Sequence, residues 1–196
     1  MLETIDKCVD YSNKIVNDLL DYSRVINLER QDCSPRELLL EVLSIINVPE
    51  KIEVLNQLPD EPQIKVDSNK IKRVFMNLVK NAVEAMSDVG KLTIDGKEVN
   101  GKFEISFTDT GPGIRDEVLP KLFFPLFTTK AQGMGFGLAI CKRIIEAHGG
   151  SITVKTAIGE GTTFKVTLPI GPKTEIGGEK IWINVPESSL STMTKP

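Results

Sequence analysis

The sequence has few residues of the types that build metal centres and disulfide frameworks. Its 196 residues include one histidine and three cysteines, and Cys8, Cys33 and Cys141 form no CxxC pair. A structural zinc site needs four closely placed ligands, and a disulfide framework needs patterned cysteines. The composition therefore argues against both, and it predicts free thiols in a reducing, cytoplasmic setting.

Long hydrophobic runs and a strong excess of positive charge are also missing. No apolar stretch approaches the ~18 residues of a membrane span, and the first residues lack the pattern of a signal peptide. The formal net charge is −3 and the basic residues are dispersed. We therefore expect neither a nucleic-acid partner nor membrane contact by this segment. The length suffices for one domain with a sizeable core.

Residues 2–30 are predicted to form one long helix. Its apolar and small residues recur at alternating spacings of four and three, which is a heptad-type stripe. Such a stripe on an isolated helix would face water, so we prefer a bundle helix that needs partner helices. A helix lying on its own domain is the alternative. The stripe consists of Ile5, Val9, Ser12, Val16, Leu19, Ser23 and Ile26.

The remainder of the chain alternates between strand and helix patterns. Ser34-Pro35-Arg36-Glu37 is a capping box that begins a helix to about Ile46, so residues 31–33 mark a boundary. Neighbouring strands with helices between them predict an α+β fold, a two-layer sandwich of one mixed sheet covered on one face by helices. The predicted strands are 52–55, 64–66, 92–95, 103–107, 152–154 and 163–168, with Asn100-Gly101 as a hairpin turn. The predicted helices run from a cap at Asp67 or Ser68 to about Met86, and from about Gly135 to Ala147.

Two glycine-rich segments predict a nucleotide site. Asp109 precedes Gly111 and Gly113, and a buried carboxylate can accept a hydrogen bond from the exocyclic amine of adenine. Glycines there let the backbone approach a flat ring. The later series Gly133-Met134-Gly135-Phe136-Gly137 offers bare backbone amides at a helix start, which suits phosphate. It is not a P-loop, because no GxxxxGK[ST] is present.

A pair of asparagines predicts a magnesium site beside these loops. Asn77 and Asn81 are four residues apart and so share one face of a helix. Their neutral amide oxygens suit Mg²⁺, a hard ion that also takes phosphate oxygens. Asn81 is our first candidate ligand and Asn77 our second. Lys80 and Lys130 are candidates to offset phosphate charge.

In order and type, these motifs resemble those of the ATP-binding catalytic domain of sensor histidine kinases. That domain belongs to the GHKL superfamily (Bergerat-type ATP-binding fold) shared with DNA gyrase, MutL and a large ATP-driven chaperone. The resemblance covers residues from roughly 1 to 170. Asn77-Leu78-Val79-Lys80-Asn81-Ala82 resembles the asparagine box, Asp109-Thr110-Gly111-Pro112-Gly113-Ile114 the first glycine box, Phe123 to Lys130 the phenylalanine box, Gly133 to Leu138 the second glycine box, and Gly159-Glu160-Gly161-Thr162 the final glycine turn.

The resemblance implies ATP and Mg²⁺ as the bound species and assigns residues to them. The implied adenine-side residues are Asp109, Gly111, Gly113, Ile114, Asn81 and Thr162. The implied phosphate and lid residues are Lys80, Thr129, Lys130, Gly133, Gly135, Phe136, Gly137 and Leu138, with Asn77 and Asn81 for the metal.

Two departures from the family pattern refine this expectation. Glu84 stands where many histidine kinases have a lysine, which favours Lys130 for phosphate contact and resembles the nitrogen-regulator subgroup. Asn77 stands where the ATP-hydrolysing relatives have a glutamate. A glutamate can act as general base on water, whereas an asparagine amide cannot. The sequence therefore predicts a site that holds ATP without hydrolysing it.

The phosphoacceptor histidine of such a kinase is not recognisable in this sequence. The one histidine, His148, lies at a helix end before Gly149-Gly150, where a structural role is expected. Residues 1–33 resemble the second helix of a dimerising hairpin, followed by an ATP-binding catalytic domain at 34–170 and a Gly/Pro/Ser-rich, mobile tail at 171–196. No residue of this chain is expected to be the phosphorylated group, so the chain should not autophosphorylate.

The expected partners follow from the same resemblance. They are ATP, a histidine-bearing domain and a response regulator, with a homodimer for the full-length protein and weak self-association here. Two other functions stay open: an ATPase of the gyrase and MutL kind, and a nucleotide-binding interaction module that uses the first helix as its partner surface.

Overall fold

The computed structural model describes residues 16, 19–20, 22–87, 89–129 and 135–171. The described residues between 16 and 23 are helical, and most of the predicted first helix and nearly all of the predicted tail lie outside the described residues. From residue 31 onward the elements are β1 (Gln31–Cys33), α1 (Pro35–Ile45), β2 (Ile52–Gln57), β3 (Ile64–Val66), α2 (Ser68–Met86), β4 (Gly90–Val99), β5 (Lys102–Asp109), a 3₁₀ turn (Leu119–Lys121), α3 (Gly137–Ala147), β6 (Ser151–Ala157) and β7 (Gly161–Pro169).

Five strands form one mixed sheet in the order β2-β4-β5-β7-β6. β2 runs parallel to β4, and the other neighbours are antiparallel. Along β5 the buried Phe103, Ile105 and Phe107 alternate with the partly exposed Glu104 and Ser106. This period of two gives the sheet one apolar face, on which α2 and α3 pack, and one polar face. The predicted α+β sandwich with helices on one face is confirmed.

Both predicted hairpins are present. The turn between β4 and β5 has positive φ at Asn100 (52°) and Gly101 (71°), as the tight turn favoured by Asn-Gly requires. The strands beside it are longer than predicted, because pairing with β2 and β7 extends them on both sides. This hairpin carries Asp109 to the end of a central strand.

The segment 31–33, where the sequence predicts only a break, forms the strand β1. It pairs antiparallel with β3, so β3 belongs to a second, two-stranded sheet and not to the main one. Three residues, two of them exposed, are too short to produce an alternation signal. The limits proposed for the domains stay a prediction.

The predicted helix start at residues 67–68 is resolved in favour of Asp67. Its side chain accepts a hydrogen bond from Lys70 N at 3.1 Å as the N-cap of α2. The second carboxylate oxygen accepts from Glu29 N at 3.2 Å, which fastens the segment before β1 to this helix. One aspartate therefore both begins α2 and holds the incoming chain.

His148 connects the end of α3 to the start of α2. It is 2% exposed, its Nδ1 lies 2.7 Å from Ile144 O, and its Nε2 lies 3.0 Å from Asp67 N. The backbone N–H donates to Nε2, so Nδ1 carries the proton and the ring is neutral. Burial lowers the pKa of this imidazole. Both nitrogens are engaged, which matches the structural role expected for the residue.

We predict that stability depends on pH through His148. Folding favours the neutral ring, so the unfolded state takes up the proton first. The contribution of His148 to the free energy of unfolding is therefore complete above the ordinary pKa of 6.5 and is lost as the pH falls below that value. Urea unfolding at pH 7.5 and 5.5 should show His148→Gln to be less stable than the wild type at pH 7.5, with a smaller difference at pH 5.5. An equal difference in stability between His148→Gln and the wild type at both pH values would contradict the assignment of a neutral, buried imidazole.

Candidate nucleotide-binding site

Asp109 ends β5 and is buried at 4% exposure. Its Oδ1 accepts two backbone hydrogen bonds, from Gly111 N at 2.9 Å and from Thr162 N at 3.2 Å. Burial raises the pKa of the carboxyl, and these two bonds counteract part of that rise. Oδ2 accepts no hydrogen bond within the described residues, which leaves one oxygen of an oriented carboxylate for a donor on a ligand.

A threonine that the sequence motifs do not indicate connects the surrounding loops. Thr156 Oγ1 donates to Gly161 O at 2.8 Å and accepts from Ile114 N at 2.9 Å. Because its single proton goes to Gly161, the Thr162 hydroxyl at 3.1 Å must donate to it. Thr162 therefore holds Asp109 through its amide, while its hydroxyl is turned to Thr156. No motif contains Thr156, and only the pairing of β6 with β7 brings it here.

Two glycines are required where these loops meet. A Cβ on Gly113 (φ 78°) would lie 2.2 Å from Ala157 O, and a Cβ on Gly161 (φ 97°) would lie 1.9 Å from Asp109 O. Both positions have a conformation that L-residues rarely adopt and no room for a methyl group. The first glycine box is therefore packed against the end of β6, and the final glycine turn against Asp109 at the end of β5.

Gly161 and Gly159 allow a matched prediction. Both have positive φ, but a Cβ on Gly159 would have no neighbour within 4 Å. Gly159→Ala should cost about 1 kcal/mol of backbone strain, whereas Gly161→Ala should cost about 1–3 kcal/mol more because the strand must move. Denaturant unfolding of the two variants measures the difference. Equal losses would show that the close approach to Asp109 does not constrain the turn.

One face of α2 runs between the two glycine boxes. Ala85 lies beside Gly111, since a Cβ on that glycine would be 3.4 Å from Ala85 Cβ. Asn77 lies beside Gly137, whose added Cβ would be 2.5 Å from Asn77 Oδ1. Asn81 stands four residues from each, on the same helix face. Eight residues of helix span about 12 Å, so a ligand reaching from one glycine box to the other passes the partly buried Asn81.

The two asparagines differ in their surroundings. Asn77 Nδ2 donates to Cys141 Sγ on α3 at 3.2 Å. Burial raises the pKa of that thiol to about 12, so the sulfur is a neutral packing group. Asn77 thus connects α2 to α3 near the start of α3. Asn81, one turn further along α2, is partly buried and also has a contact.

The N-terminal end of α3 is fixed by packing. A Cβ on Gly135 (φ 70°) would lie 2.5 Å from Phe127 N, so this glycine sits directly against the preceding loop. Phe136, predicted as a phosphate and lid residue, has its ring in the core at 2% exposure, 5.9 Å from the ring of Tyr22. Leu138 is partly buried against the same core. α3 begins at Gly137, two residues later than predicted.

Some of the remaining predicted site residues are described by the structure, and others are not. Lys80 and Thr129 are exposed, and Ile114 is partly buried beside the core. Lys130 and Gly133 lie outside the described residues. Of the phenylalanines that precede them, Phe124 is 61% exposed, whereas Phe123 packs partly against the core.

The described residues are compatible with a cation that is held mainly by the phosphate oxygens of a bound nucleotide. They contain no group of three or more His, Cys, Asp or Glu side chains placed to hold a metal. Mg²⁺ commonly takes one or two protein oxygens together with phosphate oxygens. An asparagine amide on the face between the glycine boxes meets that need.

Among the described residues, no helix has the length and hydropathy of a membrane span.

Three features together define an ATP-binding domain of the GHKL class. They are a mixed sheet covered on one face by helices, a buried aspartate at the end of a strand, and two glycine loops that lie across one helix face. Comparison with known proteins agrees. Residues 66–172, more than half of the chain, match the family described as histidine kinase-, DNA gyrase B- and HSP90-like ATPase. The chain belongs to this family, so the predicted family is confirmed.

Individual relatives are histidine kinases. The signal transduction histidine-protein kinase AtoS of Escherichia coli (strain K12) is 37% identical over 177 residues, which cover 88% of this chain and 29% of that protein. The catalytic domain of histidine kinase ThkA is 34% identical with a TM-score of 0.66, over 72% of this chain and 96% of that one. ThkA in complex with the response regulator protein TrrA is 31% identical with a TM-score of 0.72, over 87% and 51%. The chain spans less than a third of AtoS.

Proposed function

We propose that this chain is the catalytic part of a two-component sensor histidine kinase. It holds ATP with Mg²⁺ and transfers the γ-phosphate to a histidine that lies outside this chain. The observation that carries the proposal is the buried Asp109, whose Oδ1 is occupied by two backbone amides while Oδ2 is left for a ligand. An acceptor held in this way suits the exocyclic amine of adenine.

The α2 face supports the assignment of the phosphate side. A nucleotide with its base at Asp109 would extend its phosphates past Asn81 toward the start of α3. Asn81, and second to it Asn77, would hold Mg²⁺, which supplies charge neutralisation on the phosphates. Lys130, Lys80 and the backbone amides of the second glycine box would share in that neutralisation.

The transfer itself requires positioning more than acid–base chemistry. The lone pair of an imidazole nitrogen forms the new N–P bond, and the bond from the γ-phosphorus to its bridging oxygen breaks toward ADP. Asn77 offers no general base for water, and its amide is turned to Cys141. His148 is unsuitable as acceptor because it is buried and both ring nitrogens are engaged.

The partners follow from the first helix and from the relatives. Val16, Leu19 and Leu20 are 54%, 52% and 44% exposed, which suits a helix that completes a bundle in a homodimeric full-length protein. For this segment alone we propose only weak self-association. ThkA is found with a response regulator, and we propose a partner of that class, in the cytoplasm, for this chain.

The test is phosphotransfer in trans. The chain is incubated with Mg²⁺ and ATP labelled at the γ-phosphate, with and without a separate hairpin domain that carries a phosphoacceptor histidine. We expect label on the added domain, with acid-labile and base-stable chemistry, and none on this chain.

The alternatives predict different results in the same assay. An ATPase of the gyrase and MutL kind would release free phosphate continuously without the added domain. A nucleotide-binding interaction module would bind ATP but label nothing. Either result with a correctly folded hairpin domain would overturn the kinase proposal.

A further inference from the structure

A cavity lies where the segment after the first helix meets α2 and α3, and none of the described residues assigned to the nucleotide site lines it. Its volume is about 130 Å³. The walls combine apolar and basic side chains, and no acidic side chain is among the described residues that line it. The lining residues are Val25, Ile26, Ile140 and Ile144, together with Arg24, Lys70, Arg73 and Arg143.

The positive charges around this cavity are poorly neutralised. Arg24, Lys70 and Arg143 form no ion pair with a carboxylate in the described part of the chain. Arg73 has a further contact, so the argument depends on the other three. Like charges gathered around one cavity repel one another. An anion in the cavity would relieve that repulsion.

Arg143 supplies an independent sign of a missing acceptor. Its Nη2 donates to Arg24 O at 3.0 Å, and its guanidinium carbon lies 5.0 Å from the centre of the Tyr22 ring. Its Nη1 is buried and has no hydrogen-bond partner among the described residues. Buried donors without an acceptor are rare in proteins. The guanidinium is thus held in place on one side and left with unused donors.

We propose that this cavity binds a small dianionic oxyanion of the phosphate class. Guanidinium N–H groups match the geometry of phosphate oxygens, and a lysine adds a third charge. The volume admits such an ion, with room for bridging water. The inference goes beyond the proposed kinase function and does not depend on it.

The site would join three segments of the chain. Arg24 comes from the segment after the first helix, Lys70 from the first turn of α2, and Arg143 from the middle of α3. Arg30 Nη2 also donates to Ala147 O at 3.0 Å, so this segment already follows α3 toward its C-terminal end. A bound anion would add a cross-link from Arg24 to both helices, beside the hydrogen bond that Arg143 Nη2 already donates to Arg24 O.

The experiment is a calorimetric titration of the full chain with inorganic phosphate at pH 7.5 and constant ionic strength, with and without saturating ATP. Holding the ionic strength constant separates binding from general screening. Arg143→Gln and Lys70→Gln remove one charge each at the cavity. Lys155→Gln removes one charge from an exposed position on β6 and is the matched control.

We expect saturable binding in the millimolar range that ATP does not displace. Arg143→Gln should weaken it at least tenfold, Lys70→Gln severalfold, and Lys155→Gln less than twofold. Circular dichroism of each variant checks folding, and Lys70→Gln keeps the test valid if Arg143→Gln unfolds. Absence of saturable binding, equal weakening in all three variants, or displacement by ATP would overturn the proposal; the last result would place the phosphate in the nucleotide site.

Discussion

Asp109→Asn should lower the affinity for ATP by about 100-fold or more. The asparagine can keep its oxygen on the amides of Gly111 and Thr162, which puts an NH₂ group where Oδ2 now lies. Two donors then face each other across the adenine site. Loss of a hydrogen bond to a charged acceptor, together with an unsatisfied donor, costs about 3 kcal/mol, which corresponds to a factor of roughly 100.

The same substitution should not destabilise the empty protein. Burial raises the pKa of Asp109 above its ordinary value of 3.8. The stabilising contribution of such a group is complete below that ordinary value and is lost as the pH rises through the folded-state pKa. The folded protein therefore disfavours the ionised carboxylate, and a neutral asparagine of the same shape removes that cost.

The measurement combines calorimetric titration with ATP and Mg²⁺ and thermal unfolding of the empty protein. Asp116→Asn, at an exposed position of the loop after the first glycine box, makes the same chemical change and should leave both quantities unchanged. Binding by Asp109→Asn within about threefold of the wild type would remove Asp109 from the adenine site. A large loss of unfolding temperature would assign Asp109 a structural role instead.

The parts of the fold that local chemistry determines were accessible from the sequence. Asn100-Gly101 specifies its own turn, Asp67 and Ser34 begin helices through their own side chains, and the alternating Phe103, Ile105 and Phe107 identify an inward face. The short strand β1 was not accessible, because its pairing with β3 joins residues about thirty positions apart and leaves no local pattern.

The candidate site divides in the same way. Asp109 and Gly111 lie in a motif, but Thr156, which connects Ile114 to Gly161, is 42 residues from the loop that it holds. Phe136 is a further example, because its place within a glycine-rich motif predicts a lid residue. The ring is instead in the core, in contact with Tyr22 from the segment before β1. Tertiary contacts between distant segments decide both positions.

Asn81→Ala should reduce phosphotransfer by roughly 100-fold, the scale of removing one group that stabilises charge at a reacting centre. Asn81 lies midway along the α2 face, four residues from Ala85 at the first glycine box and four from Asn77 at the second. We therefore expect the phosphotransfer rate of Asn81→Ala to respond less to added Mg²⁺ than the wild-type rate does. ATP binding measured in EDTA should change little.

Asn77→Ala separates the two asparagines. Its amide donates to Cys141 on α3, so its loss should lower the free energy of unfolding by about 1 kcal/mol. Asn69→Ala, at an exposed position in the first turn of α2, is the control for both. Magnesium titrations of phosphotransfer, run beside urea unfolding, distinguish the roles. If the magnesium dependence changes in Asn77→Ala and not in Asn81→Ala, the order of the two candidate ligands is reversed, and Asn77 both connects the helices and holds the ion.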